Sequence, residues 1–208
     1  MTHDAMVSLL NKLDETYPTD IKCFLQYEEP WQLLVATILS AQCTDARVNT
    51  ITPVLFTRYP SVEALAAADV NAVAEIIKSA GFFRTKSTYI VCAMSALVTR
   101  HAGQVPNDMS LLTNLPGVGR KTANLIRAHV FNIPSVIVDT HVKRIAKRLG
   151  LTESDDPNVV EKDLCRQLPQ EHWSRLNTQL ITHGRGICKA RKPSCSSCGL
   201  VEFCPSKL

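Results

Sequence analysis

Apolar residues recur at helical spacing along most of the chain, and the elements they predict are helices. The run from Trp31 to Gln42 is almost continuously apolar, with Leu33, Leu34, Val35, Ile38 and Leu39, and its length favours a buried helix over a strand. From Val70 to Ser79, the residues Val70, Val73, Ala74, Ile76 and Ile77 share one face, with Gly81 placed to stop the helix. The pattern repeats from Thr85 or Lys86 to Arg100 and ends near Gly103 and Pro106. Leu111 and Leu112 open a short helix that must end before Pro116, because a proline pushes the residue before it out of helical geometry. Another helix is predicted over Thr122 to Phe131. Val142, Ile145, Ala146 and Leu149 mark the next, capped by Asp139 or Thr140 and stopped at Gly150. Val159 to Gln167 and Trp173 to His183 complete the set. The run Ser135-Val136-Ile137-Val138 is strand-like but has no evident partner. The fold class is therefore all-α, with no repeats at solenoid period and no low-complexity linkers.

A chain of 208 residues forms one large domain or two small ones, and 45% hydrophobic residues suffice for a sizeable core. No stretch approaches the ~18 uninterrupted apolar residues of a membrane span. The first residues, Met1-Thr2-His3-Asp4-Ala5-Met6, lack the basic-then-apolar pattern of a signal peptide. A cytoplasmic, nucleoid-associated setting is expected. The net charge of +4 is modest but unevenly spread. Residues 117–148 hold seven Lys/Arg against one Asp, and residues 183–208 hold five against one Glu, while the rest of the chain is acidic. Two basic stretches suit two patches facing a polyanion, although a charge run is more often a solvated helix face.

Four of the eight cysteines, Cys188, Cys195, Cys198 and Cys204, fall near the end as C-x6-C-x2-C-x5-C, followed by Pro205. Four neighbouring thiolates make a soft donor set that suits zinc or an iron–sulfur core. Zinc ribbons usually carry two C-x2-C pairs, and only one is present. The wide gaps and the Cys-Pro ending resemble cubane ligation, so one 4Fe-4S cluster is expected, with zinc and disulfides as the alternatives. Cys23, Cys43, Cys92 and Cys165 are scattered, mostly in apolar runs, and read as small buried thiols.

The stretch Leu115-Pro116-Gly117-Val118-Gly119-Arg120-Lys121-Thr122-Ala123 lies between two predicted helices. Pro116 closes the first. Gly117 and Gly119 permit positive φ and the close approach of another backbone. The second helix begins at about Gly119 or Arg120, so its N–H groups and positive dipole end suit a phosphate. The order of residues excludes a Walker A loop, and a dinucleotide fingerprint is unlikely without a preceding strand. A helix-hairpin-helix over about 111–131, gripping a DNA backbone without reading sequence, remains, beside the alternative of an ordinary tight αα turn. Lys121 sits against the dipole end and beside Arg120, a place that disfavours the ammonium and suits an amine nucleophile, although phosphate contact alone also explains it. Asp139, the one acid in this basic stretch, is a helix cap. A capped carboxylate stays ionised, so it can also stabilise positive charge on a sugar or move protons. His141 is read as orienting or phosphate-contacting. Trp31 and Trp173 read as core, and the other histidines show no ligand spacing.

These segments, with Val138-Asp139-Thr140-His141-Val142, Leu39-Ser40-Ala41-Gln42-Cys43-Thr44-Asp45, Ala80-Gly81-Phe82-Phe83-Arg84-Thr85-Lys86 and the cysteine loop, resemble the endonuclease III family of bifunctional DNA glycosylases. The resemblance runs from about residue 30 to the C-terminus. It implies two helical domains, residues 22–132 with the hairpin and residues 1–21 plus 133–208 with the cluster loop 188–204, and a DNA-binding cleft between them. Lys121 matches the nucleophile that forms a Schiff base, and Asp139 its acidic partner. Gln42 matches a residue that fills the gap left by a flipped nucleotide, and Phe82 stands where the family often has a leucine wedge. Gly117, Gly119, Arg120, Lys189, Arg191 and Lys192 fall where phosphates would be held. The implied substrate is duplex DNA carrying oxidised pyrimidines or abasic sites, and a monomer is expected. The alternatives are a monofunctional mismatch glycosylase, against which Lys121 itself argues, and a non-enzymatic iron–sulfur DNA-binding module.

Overall fold

The computed structural model describes residues 2–20 and 23–208. Its described residues are helical, with no strand among them. They cluster into two compact units, one of Met1–Lys22 with Asn132–Leu208 and one of Cys23–Phe131. The domain edge expected at residue 22 lies outside the described residues.

The Cys23–Phe131 unit is built around α2 (Pro30–Ser40), whose residues Leu33 to Leu39 are all buried. A helix apolar on every side belongs in the middle of a core. Pro30 occupies its first turn, and the Glu29 and Gln32 side chains cap it reciprocally. Around it pack α3 (Asp45–Arg58), α6 (Phe83–His101) and α8 (Arg120–Val130). The short helices α4 (Val62–Ala66) and α5 (Val70–Ile76) lie on α6, and α7 (Met109–Thr113) on α8. Leu34, Leu39, Leu55, Ile90, Met94, Leu97 and Leu112 fill the centre. Trp31 packs edge-on to Phe56 at 5.1 Å, which makes it a core residue.

Two expectations for these cysteines and helices are corrected. The apolar run does not carry its helix to Gln42: α2 ends at Ser40, and Gln42 takes a left-handed φ of 53°. Of the scattered thiols, Cys92 is exposed and Cys23, Cys43 and Cys165 are only partly buried. A helix with one buried side turns some residues of an apolar run toward solvent, so apolar neighbours in sequence do not guarantee a core-facing position.

In the other unit, α1 (His3–Thr16) buries Met6, Leu9, Leu10 and Leu13 against α9 (Thr140–Arg148), α10 (Pro157–Gln167) and α11 (Trp173–Gly186). Asp14 accepts from Arg175 at 2.8 Å and from Gln179 at 2.8 Å, which ties α1 to α11. Trp173 is partly buried and donates its indole N–H to the Leu168 carbonyl at 3.0 Å. The strand-like residues 135–138 are buried but form no strand. Their backbone is met instead by α11: Ser135 N–H donates to Ser174 Oγ at 3.1 Å, and Asn177 Nδ2 donates to the Ile137 carbonyl at 3.0 Å. This satisfies buried backbone polar groups that a lone strand would leave unpaired.

Candidate active site and cysteine loop

The turn between α7 and α8 is closed by Leu115 N–H on the Leu112 carbonyl and Val118 N–H on the Leu115 carbonyl, each at 3.1 Å. Leu112, Leu115 and Val118 are buried, which anchors the turn to the core. Gly117 has φ 76°, and a Cβ built there would lie 2.8 Å from the Tyr89 Cβ. Conformation and space both demand glycine. Gly117→Ala should therefore cost about 1–3 kcal/mol, measured as a loss of thermal stability.

Gly119 differs. Its φ is −93° and its ψ 176°, an extended conformation open to any residue, and a Cβ there would meet nothing within 4 Å. The expectation of positive φ thus holds at Gly117 and not at Gly119, which ends the turn in ordinary extended backbone. As the N-cap of α8 it supplies no side-chain cap, and open space lies before the helix end. Arg120 and Lys121 stand exposed in the first turn.

Asp139 is the N-cap of α9, as its position predicts. Its Oδ1 accepts from the backbone N–H of His141 at 2.9 Å and of Val142 at 2.8 Å. The cap uses one carboxylate oxygen and leaves Oδ2 outside it. His141 is half-buried, with Nδ1 3.2 Å from Arg144 Nη2. A Cβ on Gly184 would overlap that ring nitrogen, so Gly184 makes room for it. Burial pushes the His141 imidazole below its ordinary value and Arg144 and Arg185 add to this, against the Asp139 carboxylate. The ring is held by Arg144, which favours the orienting reading of His141.

Gln42 and Phe82 are both exposed, and both adopt left-handed backbone, with φ 53° and φ 48°. For residues with a Cβ this costs on the order of 1–2 kcal/mol each. Phe82 is 67% exposed, so its ring faces solvent rather than the core. Such strain at exposed side chains is common at ligand-gripping positions.

Lys86, buried in the first turn of α6, donates to the Leu39 carbonyl at 2.8 Å and to the Ala80 carbonyl at 2.7 Å. Burial pushes its ammonium below the ordinary lysine range, opposed by the neighbouring Cys43.

In the C-terminal loop, Cys188 follows the end of α11, with its N–H on the His183 carbonyl at 2.9 Å. Cys195 and Cys198 bracket a short 3-10 turn, and Cys204 follows a second. Among the described residues, no group of His, Cys, Asp and Glu is drawn together as a ready single-ion site. All four cysteines nevertheless line one small pocket, with Ile145, Leu149, Ile187 and Leu200. A four-iron cubane spreads its thiolates wider than one tetrahedral ion does, so thiols ringing a pocket form a suitable donor set. Burial pushes the Cys198 thiol up, and charge on Cys188, Cys204 and Cys195 pushes it further. Cationic iron would relieve that repulsion. The surroundings reach the sulfurs: Arg148 Nη1 donates to Cys188 Sγ at 3.1 Å, and His183 Nε2 lies 3.8 Å from Cys198 Sγ. Arg148 also donates to the carbonyls of Lys189 at 2.8 Å and Ala190 at 3.0 Å. It thereby shapes the loop that exposes Lys189, Arg191 and Lys192.

Residues 35–170 match the model of a known family, described as HhH-GPD superfamily base excision DNA repair protein. The chain belongs to that superfamily. Within it, the chain is a member of the endonuclease III family. It is 51% identical over 195 residues to Endonuclease III of Synechocystis sp., covering 93% of this chain and 89% of that one. It is 41% identical to Endonuclease III of Bacillus subtilis, covering 94% of this chain and 89% of the relative. Among solved structures, a trapped Endonuclease III-DNA covalent intermediate superposes with a TM-score of 0.93 at 38% identity, covering 100% of this chain and 97% of that chain.

For this endonuclease III family member, several supporting residues carry no signal of their own in the sequence. Tyr89 supplies the close contact that, beside the positive φ, demands glycine at Gly117. Lys86 follows Phe82 by four residues in a mostly polar stretch, with nothing in the sequence to mark it as buried. Arg148 and His183 reach the cysteine sulfurs from other elements, and His183 also meets the Tyr17 hydroxyl at 2.6 Å. A helical arginine at i+4 from Arg144 gives no sign in sequence of what it touches across the fold.

Proposed function

We propose that the chain removes oxidised, ring-saturated pyrimidines from duplex DNA and then cleaves the strand 3′ to the resulting abasic site. The observation that carries this reading is Lys121, exposed in the first turn of a helix with no side-chain cap, directly after the hairpin turn. Its neutral amine attacks the deoxyribose C1′, and the bond from C1′ to the base breaks. The base leaves with its electron pair and takes up a proton. Ring opening gives a Schiff base between Nζ and C1′. Loss of a C2′ proton then expels the 3′-phosphate by β-elimination, and water releases the enzyme. Asp139 serves this chemistry as a carboxylate fixed by its cap, able to balance positive charge on the sugar and to move the protons.

Flipping the nucleotide costs a few kcal/mol, least for a base that stacks poorly. Ring-saturated pyrimidines such as thymine glycol lose planarity and stack badly, which suits them as substrates. Gln42 and Phe82 enter the stack, and phosphate contacts from the hairpin and the basic loop supply the rest. A duplex bearing one thymine glycol tests the reading: free base and a β-elimination end are expected, and intact strands with intact base would overturn it.

The open space before Gly119 supports a phosphate there. Gly119→Ala should change stability by less than about 1 kcal/mol, since Ala is merely a poorer N-cap. It should nevertheless weaken DNA binding by about tenfold, because the added methyl stands where the phosphate would approach the helix end. Unchanged affinity in Gly119→Ala would remove the hairpin from the interface. Lys192→Glu should lower affinity for undamaged duplex and flatten its salt dependence by about 0.9 in the log–log slope for each phosphate no longer neutralised. An unchanged slope would remove the cysteine loop.

We further infer that Cys188, Cys195, Cys198 and Cys204 hold one 4Fe-4S cluster, which supplies structure by fixing the basic loop. The soft four-thiolate set and its shared pocket support this. Purified anaerobically, the chain should contain iron and acid-labile sulfide in equal amounts, about four each. Zinc without sulfide would overturn the assignment.

A further inference from the structure

Lys86 is a costly residue for the fold to keep. It is 4% exposed, on a face of α6 that also buries Ser87, Ile90, Ala93 and Met94. Lysine is almost never fully buried unless paired. Its ammonium is held here by two backbone carbonyls, Leu39 at 2.8 Å and Ala80 at 2.7 Å. Both are helix-terminal oxygens. Leu39 lies in the last turn of α2, and Ala80 is the last residue of the 3-10 turn Lys78–Ala80. Such carbonyls have no intrahelical partner and sit at the negative end of a dipole, so a cation suits them.

The location of these carbonyls gives the contact its meaning. Three residues after Leu39 comes Gln42, and two after Ala80 comes Phe82. Both are exposed and both hold left-handed backbone, the only such pair flanking one buried cation among the described residues. Cys43 N–H on the Ser40 carbonyl at 3.1 Å closes the first turn, and Lys86 N–H on the Phe82 carbonyl at 3.0 Å closes the second. Lys86 is thus bonded to both turns through its side chain and to one of them through its backbone. An apolar residue of equal length would fill the space but leave two carbonyls without a donor and the turns without a common anchor.

We infer that Lys86 is a positioning residue for base extrusion, clamping the Gln42 and Phe82 turns in one register so that both side chains enter the duplex together. The inference rests on the proposed glycosylase function and goes beyond it by assigning a shared support to the two wedges. Charge-assisted bonds to both carbonyls make the clamp stiffer than neutral contacts would. Preorganised wedges lower the entropy that must be lost when the base leaves the stack. Lys86 is buried with its ammonium on two backbone carbonyls, so its effect falls on extrusion and not on bond breaking.

Two duplexes separate these steps. One carries thymine glycol paired with adenine. The other carries it in a bulge, where the base is already unstacked. Under single-turnover conditions, Lys86→Met should slow base release at least tenfold on the paired duplex and less than threefold on the bulged one. Affinity for undamaged DNA should stay within twofold. In a Gln42→Ala, Phe82→Ala background, Lys86→Met should have no further effect on the paired duplex. Equal slowing on both duplexes, or a full effect in the wedge-less background, would overturn the inference. If Lys86→Met does not fold, Lys86→Gln, which keeps a donor for one carbonyl, goes through the same comparison. Failure of both to fold would overturn it in favour of a lysine needed only for folding. A wild type that releases base from neither duplex would instead refute the glycosylase reading itself, whereas an active wild type with an unaffected variant refutes only the clamp.

Discussion

Lys121→Ala should lose base release and strand cleavage on a thymine glycol duplex by on the order of a thousandfold or more, while still binding that duplex. The side chain is exposed in the first turn of α8, so its removal leaves no cavity and should change stability by no more than about 0.5 kcal/mol. Removing one positive charge should weaken binding only modestly, because the proposed interface holds other basic groups. The loss therefore falls on the chemical step. An alanine cannot form a carbon–nitrogen bond, so no residual lyase activity through this position is possible. If Lys121→Ala lost affinity and activity in equal measure, the residue would be a phosphate contact and the nucleophile would lie elsewhere.

Asp139→Asn should lower base release by about 10²- to 10⁴-fold, the usual range for a positioned acid–base group. The substitution is informative because capping and chemistry come apart in it. Asparagine caps a helix about as well as aspartate, and its carbonyl oxygen can take the same two N–H groups, from His141 and Val142. The loss of a negative charge at the helix start costs up to about 1 kcal/mol. The protein should accordingly fold and bind DNA nearly as before, yet lack the charge that balances the sugar. Single-turnover base release and a thermal melt, run side by side, read the two effects. Full activity in Asp139→Asn would reduce Asp139 to a cap.

How much of this is legible in sequence follows from what each residue depends on. Lys121, Asp139 and the cysteine spacing depend on near neighbours in the chain, and local rules reach them. The N-cap at Asp139 and the stop at Gly150, with φ 71°, are of that kind. The helix α3 escapes the apolar pattern for a local reason as well. Its buried face is Val48, Ile51, Thr52 and Leu55, in which a threonine breaks the apolar stripe. Pro53 falls inside it, on the exposed side, where water can satisfy the carbonyl left without a donor. The end of α2 is hidden because apolar periodicity says where a helix is wanted, not where its last carbonyls find partners. One such partner is Lys86, 47 residues away from Leu39. At Gly119 the sequence suggests a conformational reason for glycine when its space is what counts, and space is a tertiary quantity. The contacts of Arg148 and His183 with cysteine sulfur are tertiary in the same sense, which is why a ligand pattern can be read from spacing and its supporting shell cannot.

The central claim is a covalent bond between DNA and the amine of Lys121. Borohydride reduction during reaction with a thymine glycol duplex, followed by digestion and mass spectrometry of the peptide joined to sugar, tests it most directly. One adduct is expected, on Lys121. An adduct on another lysine, or release of base with no adduct at all, would contradict it.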